Sequence, residues 1–256
     1  MTQGLPRTRF NSAELVRVLT ELAVAEVTDP RQDLAARLSE WVDLKDALAL
    51  YAALHSRPPA PAARALPAAS LHAELARVRA ELAAGFTADP GPQGQRRVAL
   101  RSALALPTPL PHEAPATTAD FAPFQRDYLA HQRAMAARIA PLRAAVRSAL
   151  SRQSSALRQL AGLDAVMEQA LAAREARLLA TVPALLGRRF THLLEAHQRT
   201  RDASRPDDPA RWMAPGAWLA RFCAERQQVL LAELALRLMP VAGLLAALDT
   251  NSTELQ

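Results

Sequence analysis

From Phe124 onward, apolar side chains return every three or four positions, through Tyr128, Met135, Ile139, Leu142, Val146, Leu150, Leu157 and Leu160. The pattern continues through Leu163, Met167, Leu171, Leu178, Val182 and Leu185. A helical period held over so many turns places these residues on one stripe, and a helix with such a stripe is stable only when other helices cover it. Nothing in the chain competes with this reading. Half of the residues are apolar, carried by Ala and Leu, and only 4% are aromatic. The polar positions are rich in Arg, Glu and Gln, which are also strong helix formers, and strand-like runs of Val, Ile, Thr and aromatics are missing. The expected fold is therefore all-α: an N-terminal helical group over residues 1–106, a Pro-rich linker over 107–119, and over 120–256 a bundle or coiled coil of long antiparallel helices.

Local signals place the individual helices. Asn11 caps the first, with Glu14 completing a capping box and Phe10 positioned to staple against Leu15. Leu15, Val18, Leu19 and Leu22 then form its apolar face. A second starts at Asp29–Pro30 and carries a core stripe of Leu34, Leu38, Trp41, Leu48 and Tyr51. Ser70 caps a third, with Leu71, Leu75, Val78 and Leu82 inward and Gly85 near its end. QRRVALRSALAL fits a short helix better than a strand. Pro107 to Asp120 holds four prolines and reads as exposed linker. Pro141 is a potential kink in the long stripe. Whether the stripe is one helix or a hairpin turns on SRQSS and on Gly162, a good terminator followed by Asp164, a good cap, and these favour a hairpin. Thr200 to Gly216 is a loop. The last helix covers about residues 217–248, with Trp218, Phe222, Leu230, Leu234, Val241 and Leu245 inward.

THLLEAHQ has the composition of a metalloprotease metal site but not its spacing. Histidines four apart share a helix face, whereas His192 and His197 are five apart, which leaves them about 140° from each other. Glu195 lies near His192 and about 160° from His197, so one continuous helix cannot bring all three to one ion. Cys223 sits in an apolar stretch and reads as a buried, inert thiol. His55, His72, His112 and His131 have no companion motif, and no phosphate-cradling glycine loop occurs. No catalytic residue, cofactor site or metal site is expected, and the chain reads as a non-enzyme.

Charge offers one further signal. The chain carries 31 basic and 25 acidic residues, and all the basic ones except Lys45 are arginine. Residues 120–161 hold seven basic and two acidic side chains, so most of the net charge of +6 sits there. At about 100° per residue, Arg126, Arg133, Arg143, Arg147 and Arg158 fall within about 100° of one another, opposite Tyr128, Met135, Leu142 and Leu157. Such a stripe could be a solvated face, a surface for an acidic protein partner, or a track for nucleic acid or an anionic membrane. It lacks aromatics for base stacking, which disfavours single-strand recognition.

A lone cysteine gives no internal disulfide, and MTQGLPRTRF lacks the apolar core of a signal peptide. The late apolar run LMPVAGLLAAL has eleven residues against the roughly 20 of a spanning helix. The default expectation is a cytoplasmic protein that is not integral to a membrane. LPRTRF with ELVRVLTELAVAEV, RLSEWVDLKDALALYAAL, DFAPFQRDYLAHQRAM and AELALRLMPVAGLLAAL together resemble an uncharacterised proteobacterial family, domain of unknown function 3348. The resemblance brings no catalytic residues. It implies a cytoplasmic, helical bacterial protein and, through envelope proteins encoded near its relatives, a complex at the inner membrane. The residues and the resemblance together lead to a non-catalytic interaction or scaffold subunit with a protein partner or a second copy of itself. The other reading is nucleic-acid or anionic-surface binding through the arginines.

Overall fold

The computed structural model describes residues 14–22, 42–55, 68–86, 119–201 and 207–254. Among them every regular element is helical: α1 Glu14–Glu21, α2 Leu44–His55, α3 Ala68–Phe86, α4 Ala122–Leu150, α5 Ser155–Leu179, α6 Val182–Thr200 and α7 Trp218–Glu254, with a 3-10 turn at Pro209–Arg211. The Asn11 cap, the Phe10 staple, the start of the second helix at Asp29 with Leu34, Leu38 and Trp41, the QRRVALRSALAL run and nearly all of the linker lie outside the described residues.

The long stripe folds as a hairpin, but it turns earlier than Gly162. Chain reversal occupies residues 151–154, where Ser154 takes an extended backbone and its hydroxyl accepts from Leu157 N–H at 3.2 Å. This satisfies one of the donors that open α5. Gly162 is then interior to α5, and Asp164 serves as an ion-pair partner instead of a cap. A second break falls at Ala180–Thr181, before Pro183 in the first turn of α6. Proline is favoured in that turn because its missing N–H would have no helical partner. Pro141 interrupts nothing: it lies exposed within a continuous α4.

α7 is the axis of the bundle, and α1, α3, α4 and α6 all pack on it. Leu15 and Leu19 of α1, Leu71 and Val78 of α3, Met135 and Val146 of α4 and Leu230 and Leu245 of α7 belong to one continuous core. Fully burying each such aliphatic side chain contributes about 1.5–3 kcal/mol. The expected antiparallel order holds for the α4–α5 hairpin. α4 and α7, however, run parallel, since Phe124–Phe222, Asp127–Arg226 and Gln132–Glu233 step up both helices together. α5 and α6 carry the chain back between them. At the shared end, four of the six phenylalanines and two of the three tryptophans gather as Phe121, Phe124, Phe190, Phe222, Trp212 and Trp218. Gly216, with φ +79°, makes the turn into α7. A side chain there would be strained.

α2 departs from its sequence reading. Leu48 and Tyr51, expected inward, are 60% and 62% exposed, and no residue of α2 is buried. The helix lies against α5 alone among the principal packing pairs. Its alternation of Ala and Leu makes it apolar on every side, so helical period does not say which side faces in.

Candidate functional site

The five arginines of the expected stripe do not form one free surface. Arg143 reaches Asp164 through Nε at 2.8 Å and Nη2 at 2.5 Å, a two-pronged contact, and Glu168 at 3.3 Å. Arg147 reaches Asp164 at 3.0 Å and Glu168 at 2.5 Å. Both guanidinium side chains are mostly buried in the α4–α5 interface. Burial alone would raise the Asp164 pKa, but the hydrogen bonds and charges of Arg143 and Arg147 outweigh it and hold the carboxyl below its ordinary value. Arg158 donates from Nε to the Ser151 carbonyl at 2.9 Å, tying the hairpin turn. Arg126 and Arg133 remain on the surface with no ion pair among the described residues. The expectation of a stripe with little acid to neutralise it is therefore corrected. The neutralising acids come from α5, beyond the segment whose charges made it look uncompensated.

The histidines of THLLEAHQ occupy different surroundings on an uninterrupted α6. His192 is exposed, while the His197 ring lies 6.0 Å from Trp218 in a stacked arrangement. His197 Nε2 is 3.2 Å from the Asp207 carboxylate, which also accepts from Trp212 Nε1 at 3.0 Å. The Trp212 hydrogen bond, with His197 beside it, lowers the Asp207 pKa. His197 thus fastens the segment entering α7 to the end of α6. Among the described residues no group of three or more His, Cys, Asp or Glu side chains is placed to hold a metal ion. Cys223, expected in the core, is half-buried beside it.

What the sequence did not reveal is a polar seam inside the α4–α7 contact. Glu233 is fully buried and accepts from Tyr128 Oη at 2.7 Å, Gln132 Nε2 at 3.1 Å and Arg237 Nε at 2.9 Å. Burial and the Glu233 charge push the Tyr128 phenol far up, so its proton stays in the hydrogen bond. Two turns back along α7, Arg226 is 2% exposed, pairs with Asp127 and packs over the Phe124 ring at 5.9 Å. Burial pushes the Asp127 pKa up, but the bonds and charges of His131 and Arg226 prevail and lower it. Further along, Glu225 takes two hydrogen bonds from Arg189 of α6, at 2.8 and 2.6 Å, and one from Arg221 at 2.9 Å. Their joint effect exceeds the opposing effect of burial and lowers its pKa. The available signal was four charges, Glu225, Arg226, Glu233 and Arg237, on a helix too apolar to carry them unpaired.

A model of the family described as "Protein of unknown function (DUF3348)" matches residues 1–250. The chain belongs to this family. No curated protein and no solved structure matches it.

The DUF3348 chain also exposes apolar surface. On α7, Leu231 is 40% and Met239 62% exposed, flanked by exposed Ala242, Gly243 and Ala246. A Cβ added at Gly243 would meet nothing within 4 Å. No exposed charged residue interrupts this face from Leu231 to Ala246. On α2, Leu44 is 77% exposed, and it lines up with Leu48 and Tyr51 at helical spacing.

Proposed function

We propose that the DUF3348 chain is a non-catalytic helical interaction or scaffold subunit of a protein complex. The observation that carries this reading is the outer face of α7. By length and composition that helix could cross a membrane: within Trp218–Thr250 an 18-residue window has mean hydropathy 1.9, and half of that window is buried within the protein. Between Arg221 and Asp249, its charged residues Glu225, Arg226, Glu233 and Arg237 all engage other groups of the bundle, so the inner side behaves as a core helix. The outer side keeps contiguous apolar surface in water, a state that marks interaction sites. In this reading the chain acts from the cytoplasm, and an inner-membrane or envelope protein, or a second copy, covers α7. Nucleic-acid or anionic-surface binding receives less support. With Arg126 and Arg133 as its only uncompensated stripe members, log affinity would fall with log salt at a slope of about −2.

The test compares wild type with Met239→Glu and Leu231→Glu by light scattering of the purified chain and by affinity capture from a detergent-treated, nuclease-treated host lysate. A wild-type dimer or stoichiometric partner that both variants lose supports the reading. A wild type that stays monomeric and retains nothing, or a partner that both variants keep, refutes it.

A further inference from the structure

We propose that the cleft between α4 and α5 binds a single-chain amphiphile with a carboxylate head. The hairpin is clamped near its turn by Arg143 and Arg147 against Asp164 and Glu168. Away from the turn, residues 129–143 of α4 and residues 168–180, which end just past α5, line an open cleft of about 500 Å³ that Arg237 of α7 also lines. That is within the roughly 300–1,000 Å³ typical of small-molecule sites. Ala136 and Ala140 of α4 and Ala172 and Ala176 of α5 line it, together with Ile139. These side chains are too short to close the gap, so the walls offer apolar surface to a hydrocarbon chain.

The polar groups of the cleft are unequally engaged. Arg237 spends Nε and Nη2 on the buried Glu233, at 2.9 and 2.8 Å, while Nη1 has only Glu175, at 3.9 Å. That separation is beyond hydrogen-bond reach. Arg133 lines the same cleft and has no ion pair among the described residues. Glu168 is already held by Arg147 at 2.5 Å and Arg143 at 3.3 Å. One weakly held acid, Glu175, thus shares the cleft with two guanidinium groups that have donors to spare. A carboxylate head fits those donors, since guanidinium and carboxylate pair in matching planar geometry. A purely apolar ligand would desolvate both arginines without replacing their water, which is costly. A small anion such as acetate would leave the alanine walls uncovered.

Glu175 gives the proposal a sign that a merely sticky groove would not share. It competes with the head group for Arg237, so Glu175→Gln tightens binding severalfold, while Arg133→Gln weakens it about tenfold. The experiment is calorimetric titration of the full chain with decanoate below its micelle concentration, against decanol and acetate. Saturable one-to-one binding of decanoate, weaker for both controls and moved in these two directions by the variants, supports the site. No saturable binding, decanol binding as tightly as decanoate, or affinity indifferent to Arg133 and Glu175 overturns it. Ala140→Leu, which fills the cleft, abolishes decanoate binding at unchanged melting temperature. Ala176→Leu serves the same end from the opposite wall if the first variant folds poorly, and retained affinity in the folded variant also overturns the site.

Discussion

Replacing Gly162 by alanine tests where the middle of the chain turns. Gly162 is interior to α5, which runs Ser155–Leu179, and a Cβ built there meets nothing within 4 Å. Gly216 alone among the described glycines has positive φ, so the backbone at 162 accepts an L side chain without strain. Glycine in a helix interior is about 0.8–1.0 kcal/mol less favourable than alanine. Part of that difference comes from the extra freedom glycine has in the unfolded chain. No clash subtracts from the gain and no large burial adds to it, so Gly162→Ala stabilises the fold by about 1 kcal/mol. For a chain of this size that raises the melting temperature by about 2–4 °C. If Gly162 instead ended a helix in the left-handed conformation, alanine would cost about 1–2 kcal/mol and the melting temperature would fall. Thermal and urea unfolding followed by far-ultraviolet circular dichroism distinguish the two. A lower melting temperature, or an altered urea slope, refutes the continuous α5.

Acid should weaken the fold from a defined point. Asp127, Asp164 and Glu225 have folded pKa values below their ordinary 3.8, 3.8 and 4.5, so protonation favours the unfolded chain. Their contribution is whole above about pH 5 and is lost as the pH falls through the folded values. The urea midpoint is therefore expected to hold steady from neutrality to about pH 5 and to drop below it, less steeply in Asp164→Asn, and an equally steep drop there would count against the α4–α5 clamp. Glu233→Ala takes the acceptor from the buried Tyr128 hydroxyl and from Gln132, and the close partner from Arg237, and should cost about 2–4 kcal/mol in urea unfolding. Tyr128→Phe leaves Glu233 its other two donors and should cost about 1 kcal/mol, so a reversed order would contradict the assigned hydrogen bonds.

Period alone disclosed the inward sides of several helices. Leu15 and Leu19, Leu71 and Val78, Met135 and Val146, and Phe222 and Leu245 are all buried as expected. It failed where the deciding information lies on another element. The arginine stripe was read from α4 and the turn after it, yet Asp164 and Glu168 sit on the returning helix and draw Arg143 and Arg147 inward. Leu48 and Tyr51 looked like core because their spacing is helical, but α2 has too little partner surface to bury them. The break at Ala180–Thr181 is marked in the sequence only by Pro183, because the apolar period passes through it unchanged. Gly162 and Asp164 are good terminator and cap residues in the abstract. Ser154 prevailed because its hydroxyl reaches a free N–H while Asp164 is already committed to two arginines.

α7 inverts the usual arrangement of an amphipathic helix, with charges toward the core and none on the outer face between Leu231 and Ala246. This inversion answers a problem that the composition creates. A core whose commonest member is Leu, with Val and Ala beside it, offers similar packing at several helix offsets, since one aliphatic side chain substitutes for another at small cost. Sliding α4 along α7 by one turn, about 5.4 Å, would part Tyr128 and Gln132 from Glu233 and Asp127 from Arg226, leaving buried charges without partners. That costs several kcal/mol, far more than the change in apolar contact. The seam is therefore a poor source of net stability and a strong source of register. By fixing α7 against α4, it also fixes where Arg237 meets the cleft and which face of α7 is left toward solvent.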